Sequence, residues 1–185
     1  MADTDAGSNA EVALRSLSEI ERRVSSQGAA DHALISICTV LEVFVDSTLL
    51  SLIEASGISS SRFGRALLGH LEDQLNQSWT SRLRWLSNGF NVSLAGTEID
   101  GDRGTLVEAR NALIHGGGKL TGRQVRNPAD ALDLQRRLRD RMGAIVVGHS
   151  LDIGKPALDW SFEVARRYIR ALDATVSRLP ASQSN

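Results

Sequence analysis

Along most of the chain apolar residues recur every three or four positions, the interval that gathers them on one face of a helix. Val12, Leu14, Leu17, Ile20 and Val24, with charges between them, predict a first amphipathic helix over Ala10–Ser26 that Gly28 ends. The second predicted helix, Ala30–Ala55, is the most apolar: Leu34, Cys38, Leu41, Val45, Leu49 and Leu52 form one wide core stripe, and Glu42 and Asp46 lie one turn apart on its flank. Ser59-Ser60-Ser61 offers an N-cap for a third helix running to Ser87 through Phe63, Leu67, Leu71, Leu75, Trp79, Leu83 and Leu86, with a kink around Gln77-Ser78. The glycine-rich stretch Asn88–Gly104, with its Asp100-Gly101 pair, reads as a surface loop. A fourth helix follows over Arg103–His115. Asn127-Pro128-Ala129-Asp130 breaks the chain, and Ala131–Arg141 reads as a short helix or a charged connector.

The period then changes. Ala144-Ile145-Val146-Val147, Gly148-His149-Ser150 and Leu151-Asp152-Ile153 put β-branched residues around a turn, which predicts a small hairpin closed by Pro156. A last helix, Ala157–Leu179, directs Trp160, Val164, Tyr168, Leu172 and Val176 to the core before Pro180. The fold class expected is all-α, a bundle of about five helices with a β-hairpin before the last. Residues 10–179 form one domain in this reading, with a fraying start at 1–9 and a flexible tail at 180–185.

Composition narrows what such a bundle does. A chain of 185 residues buries roughly 70% of its unfolded surface. With 42% hydrophobic residues and a net charge of −1, it is neither globally disordered nor uniformly basic, so any nucleic-acid contact is local. The single cysteine, Cys38, excludes a disulfide framework and a cysteine-cluster zinc site, and it reads as a small buried apolar residue. His32 and His70 lack metal-ligand spacing to other candidate ligands, so no metal and no cofactor is inferred. Asp3 and Asp5 carry the wrong charge for a signal or transit peptide, so a cytoplasmic protein is expected. Residues 33–53 have membrane-like length, but Glu42 and Asp46 interrupt them at positions costly in lipid, and no membrane partner is expected.

Chemistry concentrates in Glu108-Ala109-Arg110-Asn111-Ala112-Leu113-Ile114-His115-Gly116-Gly117-Gly118-Lys119, where a helix ends on a histidine and three glycines. At about 100° per residue, Glu108, Asn111 and His115 share a polar stripe, while Leu106, Val107, Ala109, Leu113 and Ile114 cover the opposite side. Arg110 falls inside that apolar arc. An unpaired buried guanidinium costs several kcal/mol, so Arg110 requires a carboxylate, Glu42 or Asp46, or else a cleft shared with a second subunit. Asn111 stands one turn before His115, where it can hydrogen-bond the imidazole and fix its tautomer.

Arg110-Asn111, three further residues and His115 resemble the R-x4-H signature of the HEPN superfamily, which includes metal-independent ribonucleases, toxins and phage-defence proteins. Gly116 to Gln124 is similar to the loop after that histidine in several bacterial members, and the resemblance covers roughly residues 28 to 178. It implies a metal-independent endoribonuclease, acting as a toxin or as a phage-defence or stress effector. Arg110, His115 and Asn111 would be its catalytic residues, supported by Glu42, Asp46 and Glu108. It also implies a homodimer with two such helices facing each other across one cleft, and possible control by a cognate antitoxin or regulatory protein. Internal attack on RNA needs a base near the 2′-hydroxyl, an acid for the 5′-oxygen and a cation for the phosphorane, which histidine and arginine supply. The alternative is a non-catalytic HEPN-like module that binds RNA or a protein; a structural helical adaptor is a weaker third. Some family toxins carry a tyrosine two residues after the histidine, a target for adenylylation; Gly117 stands there in this chain.

Other motifs add less. Gly116 to Lys119 is no Walker A loop, because Leu120 follows the lysine and a helix precedes the glycines. Lys119, Arg123 and Arg126 are the expected RNA contacts, within a basic cluster that continues through Arg136, Arg137, Arg139 and Arg141 and outweighs Asp130, Asp133 and Asp140. Trp79 and Trp85 read as core. His149, Ser150 and Asp152 have the residue types of a hydrolase triad but fall in a tight turn.

Overall fold

A computed structural model describes residues 8–27, 30–75 and 78–179. The fold is all-α, with a two-stranded hairpin before the last helix. In order the helices are α1 (Asn9–Gln27), α2 (Ala30–Ala55), α3 (Arg62–Leu75), α4 (Trp79–Phe90), α5 (Glu98–Gly116) and α6 (Pro128–Arg136), then strands β1 (Ile145–Val147) and β2 (Ser150–Asp152), then α7 (Lys155–Val176). A 3-10 turn, Ile58–Ser60, precedes α3, and a π-helical turn, Arg137–Arg141, extends α6.

The core lies among α1, α2, α5 and α7: α2 packs on all three others, and α7 on α1 and α5. The α2 stripe meets the expectation, with Leu34, Ile37, Leu41 and Val45 wholly buried and Cys38 and Leu49 nearly so. Its length and composition would allow it to cross a membrane, yet half of its most apolar window is buried inside the bundle. Burial also pushes the Cys38 thiol well above its ordinary range, with Glu42 adding to that effect and Arg110 opposing it. On α7, Val164, Tyr168 and Leu172 reach the core as expected, while Trp160 and Val176 are half-buried.

Two boundaries and the burial of one residue differ from the sequence reading. The single third helix is two elements, because Ser78 caps α4, its hydroxyl accepting from the Ser81 N–H at 3.1 Å; Gln77, placed at a kink, lies outside the described residues. Phe63, the first residue of that helix's apolar series, is 79% exposed. Asn88–Gly104 is not a loop throughout: α5 starts at Glu98, and Asp100-Gly101 lies inside its first turn. The Thr97 hydroxyl accepts from the Asp100 N–H at 3.3 Å, and Glu98 and Asp100 sit at the positive end of the helix dipole. Burial of Ile99, Asp102, Arg103 and Thr105 then outweighs the helix cost of Gly101 and Gly104. Of the fraying start expected over 1–9, residues 1–7 lie outside the described residues, whereas Asn9 already opens α1 behind Ser8, whose hydroxyl accepts from the Glu11 N–H at 3.2 Å; the tail 180–185 and Gly28 also lie outside them.

The hairpin pairs Ile145 with Asp152, Val146 with Leu151 and Val147 with Ser150. Gly148 turns it at φ +58°, and His149, Ser150 and Asp152 are exposed around that turn.

Candidate functional site

The R-x4-H stretch occupies the last two turns of α5. Its buried face is formed by Asp102, Thr105, Leu106, Ala109 and Ala112, and the Cys38 thiol of α2 lies 3.8 Å from the Leu106 carbonyl oxygen. The apolar arc is narrower than periodicity indicated: Val107 and Leu113 are only half-buried, and Ile114 is 41% exposed. Arg110 therefore sits at the edge of the core on a half-open face shared with Val107, Asn111 and Ile114.

Neither flank carboxylate takes up Arg110. Asp46 is engaged by Arg82 of α4 through Nε–Oδ1 at 2.7 Å and Nη2–Oδ2 at 2.8 Å, a two-point contact that raises the Arg82 pKa, with burial opposing it. This corrects the role of Asp46: it ties α4 to α2. Glu42 lies near enough to act electrostatically on Cys38 and Arg82, yet no cation of the described residues comes within 4.0 Å of it. Among the described residues the Arg110 guanidinium donates only to the Asn111 Oδ1, at 3.3 Å. Asn111 thus orients the arginine, and no hydrogen bond to His115 occurs. His115 itself is exposed on the last turn.

Residues five apart on a helix are separated by about 140° around the axis and about 7.5 Å along it. Arg110 and His115 of one chain therefore face different directions from a shared edge.

The loop after His115 is tightly built. Gly117 adopts φ +58° and Gly118 φ +82°, and their N–H groups close on the Ala112 carbonyl, the latter at 3.1 Å. Side chains rarely take up such φ values, so glycine is required for this reversal. The chain then joins the hairpin: Leu120 N–H donates to His149 at 2.8 Å and Leu151 N–H to Gly118 at 2.8 Å, with a bridge between Lys119 and Ser150. Leu120 is buried, anchoring the loop.

Glu108 gains a partner that sequence reasoning missed. Gln124 Nε2 donates to the Glu108 carboxylate at 2.6 Å and to its carbonyl at 2.9 Å, folding the basic loop back along α5. Gln124 is itself held, because its Oε1 accepts from the Thr121 N–H at 2.8 Å while the Thr121 hydroxyl accepts from the Gln124 N–H at 3.3 Å. That reciprocal pair is the capping-box geometry that Thr-x-x-Gln spells in sequence.

Lys119, Arg123 and Arg126 are all exposed and form no ion pair among the described residues. The rest of the basic cluster is weaker than its composition indicated. Arg137 pairs with Asp133 at 2.9 Å, Arg139 with Asp140 at 3.1 Å and Arg141 with buried Asp102 at 3.4 Å, while exposed Arg136 forms no ion pair among the described residues. The uncompensated charge is concentrated in the loop that begins four residues after His115. Among the described residues no group of three or more histidine, cysteine or acidic side chains is placed to hold a metal ion.

Comparison with protein-family models, with curated proteins and with solved structures returns no match for this chain.

Proposed function

We propose that this chain is a metal-independent endoribonuclease of HEPN type, with Arg110 and His115 as its reacting pair and Asn111 as the residue orienting the arginine. The observation that carries the reading is the setting of Arg110: a guanidinium at the edge of a helical core, without a carboxylate partner among the described residues, on the same two turns of helix as exposed His115. A cation in that position is available to an anionic ligand, and a phosphorane is such a ligand. The basic loop of Lys119, Arg123 and Arg126, clamped to Glu108 through Gln124, supplies the positive surface that gathers RNA at this end of the helix.

One histidine cannot serve as base and acid at the same instant. A second copy whose α5 faces the first supplies the complementary imidazole and covers the half-open Val107–Ile114 face. A homodimer is therefore part of the proposal, as are a cytoplasmic location, a role as toxin or as defence or stress effector, and control by a cognate antitoxin or regulatory protein.

Purified protein should cut single-stranded RNA in EDTA to products ending in a 2′,3′-cyclic phosphate or a 3′-phosphate. It should leave DNA intact, because DNA lacks the attacking hydroxyl. His115→Ala should abolish cleavage without loss of helical signal or cooperative unfolding, since an exposed helix-end imidazole contributes little to the core. Cleavage that survives His115→Ala would overturn the assignment. A second reading, an RNA-binding module without catalysis, draws on the lack of any hydrogen-bond partner that would orient the His115 imidazole among the described residues. RNA binding without products across neutral pH would select it.

A further inference from the structure

α2 and α7 both run through the middle of the bundle, yet they meet solvent differently. The exposed positions of α7 are mostly charged, among them Asp159, Glu163, Arg167 and Arg170. Those of α2 are not: between Asp31 and Glu54 the only acidic or basic residues are Glu42 and Asp46, both half-buried, with Asp46 turned to Arg82 of α4. What α2 shows to solvent is a stripe of Ser36, Thr39, Val43, Ser47 and Leu50, in which Val43 is 58% and Leu50 45% exposed. The Ser36 and Thr39 hydroxyls donate back to the His32 and Ile35 carbonyls, at 2.8 and 3.1 Å, so they ask little of water. Beside the stripe a groove of about 240 Å³ runs between α2 and α1, walled by Val12, Val40 and Phe44. A helix apolar on every side normally lies buried, and a shortage of charge is what marks the centre of a protein interface.

The order of residues along the stripe selects its partner. Its ends are His32 and Glu54, each eleven residues from Val43; Ser36 and Leu50 are each seven away, and Thr39 and Ser47 each four. A two-fold axis beside Val43 that lays a second α2 antiparallel on the first therefore returns every stripe position to a stripe position. Val43 meets Val43, Leu50 meets Ser36, Ser47 meets Thr39, and acidic Glu54 meets His32 at both ends. α1 obeys the same rotation. It runs antiparallel to α2, with Asn9 bonded to Ser51 at 3.1 Å, so Arg15 of one copy comes level with Glu19 of the other. The uncharged length of α2 is about 30 Å, and two helices side by side are about 20 Å wide, so each copy covers roughly 600 Å². Both together exceed the roughly 1,000 Å² that a specific interface needs. We infer that this chain pairs with a second copy through its α1–α2 face, α2 lying antiparallel to α2 about Val43. α1 and α5 pack on α2 and α7 from opposite sides, so this contact leaves the R-x4-H face of α5 free and does not depend on pairing there.

Light scattering on the full chain at micromolar concentration tests the contact. It should give four chain masses if α5 also pairs and two if it does not. Val43→Glu, at an exposed position, should halve the mass in either case while helical signal and melting temperature stay unchanged. Register is read by oxidation with copper phenanthroline, to which buried Cys38 does not contribute. Val43→Cys should cross-link. Ser36→Cys should not, because its copies lie about 21 Å apart along the pair and a disulfide needs Cα atoms within about 7 Å. An equimolar mixture of Ser36→Cys and Leu50→Cys should cross-link again. If Val43→Glu does not fold, the cross-links decide. The inference is overturned if Val43→Glu leaves the mass unchanged, if the parent is a monomer, or if Val43→Cys fails to cross-link or Ser36→Cys links as readily. It is also overturned if the parent sediments with phosphatidylglycerol vesicles and Val43→Glu abolishes that alone, which would make the face a membrane contact.

Discussion

Two arginine environments in one bundle show how the same side chain serves opposite ends. Arg82 and Arg103 are nearly buried, and each is met by a carboxylate, Asp46 at 2.7 Å and Asp100 at 2.8 Å. Both stack on Trp79, with guanidinium-to-centroid distances of 5.9 and 4.8 Å, and Trp79 meets Tyr168 edge-on at 6.2 Å. Those arginines are spent on holding α4, α5, α2 and α7 together. Arg110, two turns along α5 from Arg103, has an amide oxygen at 3.3 Å and, among the described residues, no carboxylate. Where the fold completes a guanidinium, its charge is structural; where the fold leaves it incomplete, its charge is available to a ligand.

The largest test of that contrast is Arg82→Ala. It strips Asp46 of a two-point partner; the Asp46 side chain keeps 24% of its exposure, so water offsets part of the loss. A destabilisation of roughly 2–4 kcal/mol is expected from urea unfolding. Arg82→Lys should recover only part of it, because an ammonium cannot fork both carboxylate oxygens. A loss below about 1 kcal/mol would mean the pair is a surface contact, and the structural half of the contrast would fail.

A second test reads how dry the completed environment is. Tyr168 is the chain's only tyrosine, so its ionisation can be followed by near-ultraviolet absorbance without interference from another phenol. Burial raises its pKa from 10.0 to about 12, with Arg103 pulling it down and Asp100 pushing it up. The folded pKa exceeds the unfolded one, so the contribution to stability is fully present below about pH 10 and is lost as pH rises through about 12. The loss should be on the order of 2–3 kcal/mol. Tyr168→Phe should remove that part of the alkaline decline. Ionisation at the ordinary value in the folded protein would place the phenol in water and open the Trp79–Arg103 stack.

Legibility in the sequence divides along the same line between periodic burial and local polar pairing. The observed bounds of α2 match the predicted ones because its apolar stripe is continuous and its ends are clear. The hairpin was legible because β-branched residues flank a glycine turn. The start of α5 was not: its glycines and the Asp100-Gly101 pair suggest a loop, and that reading passes over the Thr97 cap with Asp100 three residues on, a helix-start pattern present in the chain. At the site, the polar stripe containing Glu108, Asn111 and His115 was legible as three polar positions on one face. The partner of Arg110 was not, because a helical wheel shows which residues share a side and not which arginine a carboxylate chooses; Asp46 went to Arg82, thirty-six residues away. Gln124 escaped notice for a related reason: its Thr121 capping box is local, but its bond to Glu108 depends on the loop's return.

The smallest expected effect bears on the other half of the contrast. From periodicity alone, Arg110→Ala should cost more stability than His115→Ala, because it would orphan a buried carboxylate. Among the described residues no carboxylate depends on Arg110, so its removal forfeits one 3.3 Å bond to Asn111 and some packing of its stem. Calorimetric unfolding of Arg110→Ala should therefore stay within about 0.5–1 kcal/mol of the parent. RNA cleavage should fall by roughly 100-fold or more, the scale typical for deleting a group that stabilises transition-state charge. Arg110→Lys should restore charge but not planar, two-point contact with a phosphate, so it should recover affinity for RNA better than rate. If Arg110→Ala instead lowered stability by about as much as Arg82→Ala, with cleavage and binding falling only in proportion to the unfolded fraction, Arg110 would be a third structural arginine. The contrast between spent and unspent guanidinium groups would then disappear.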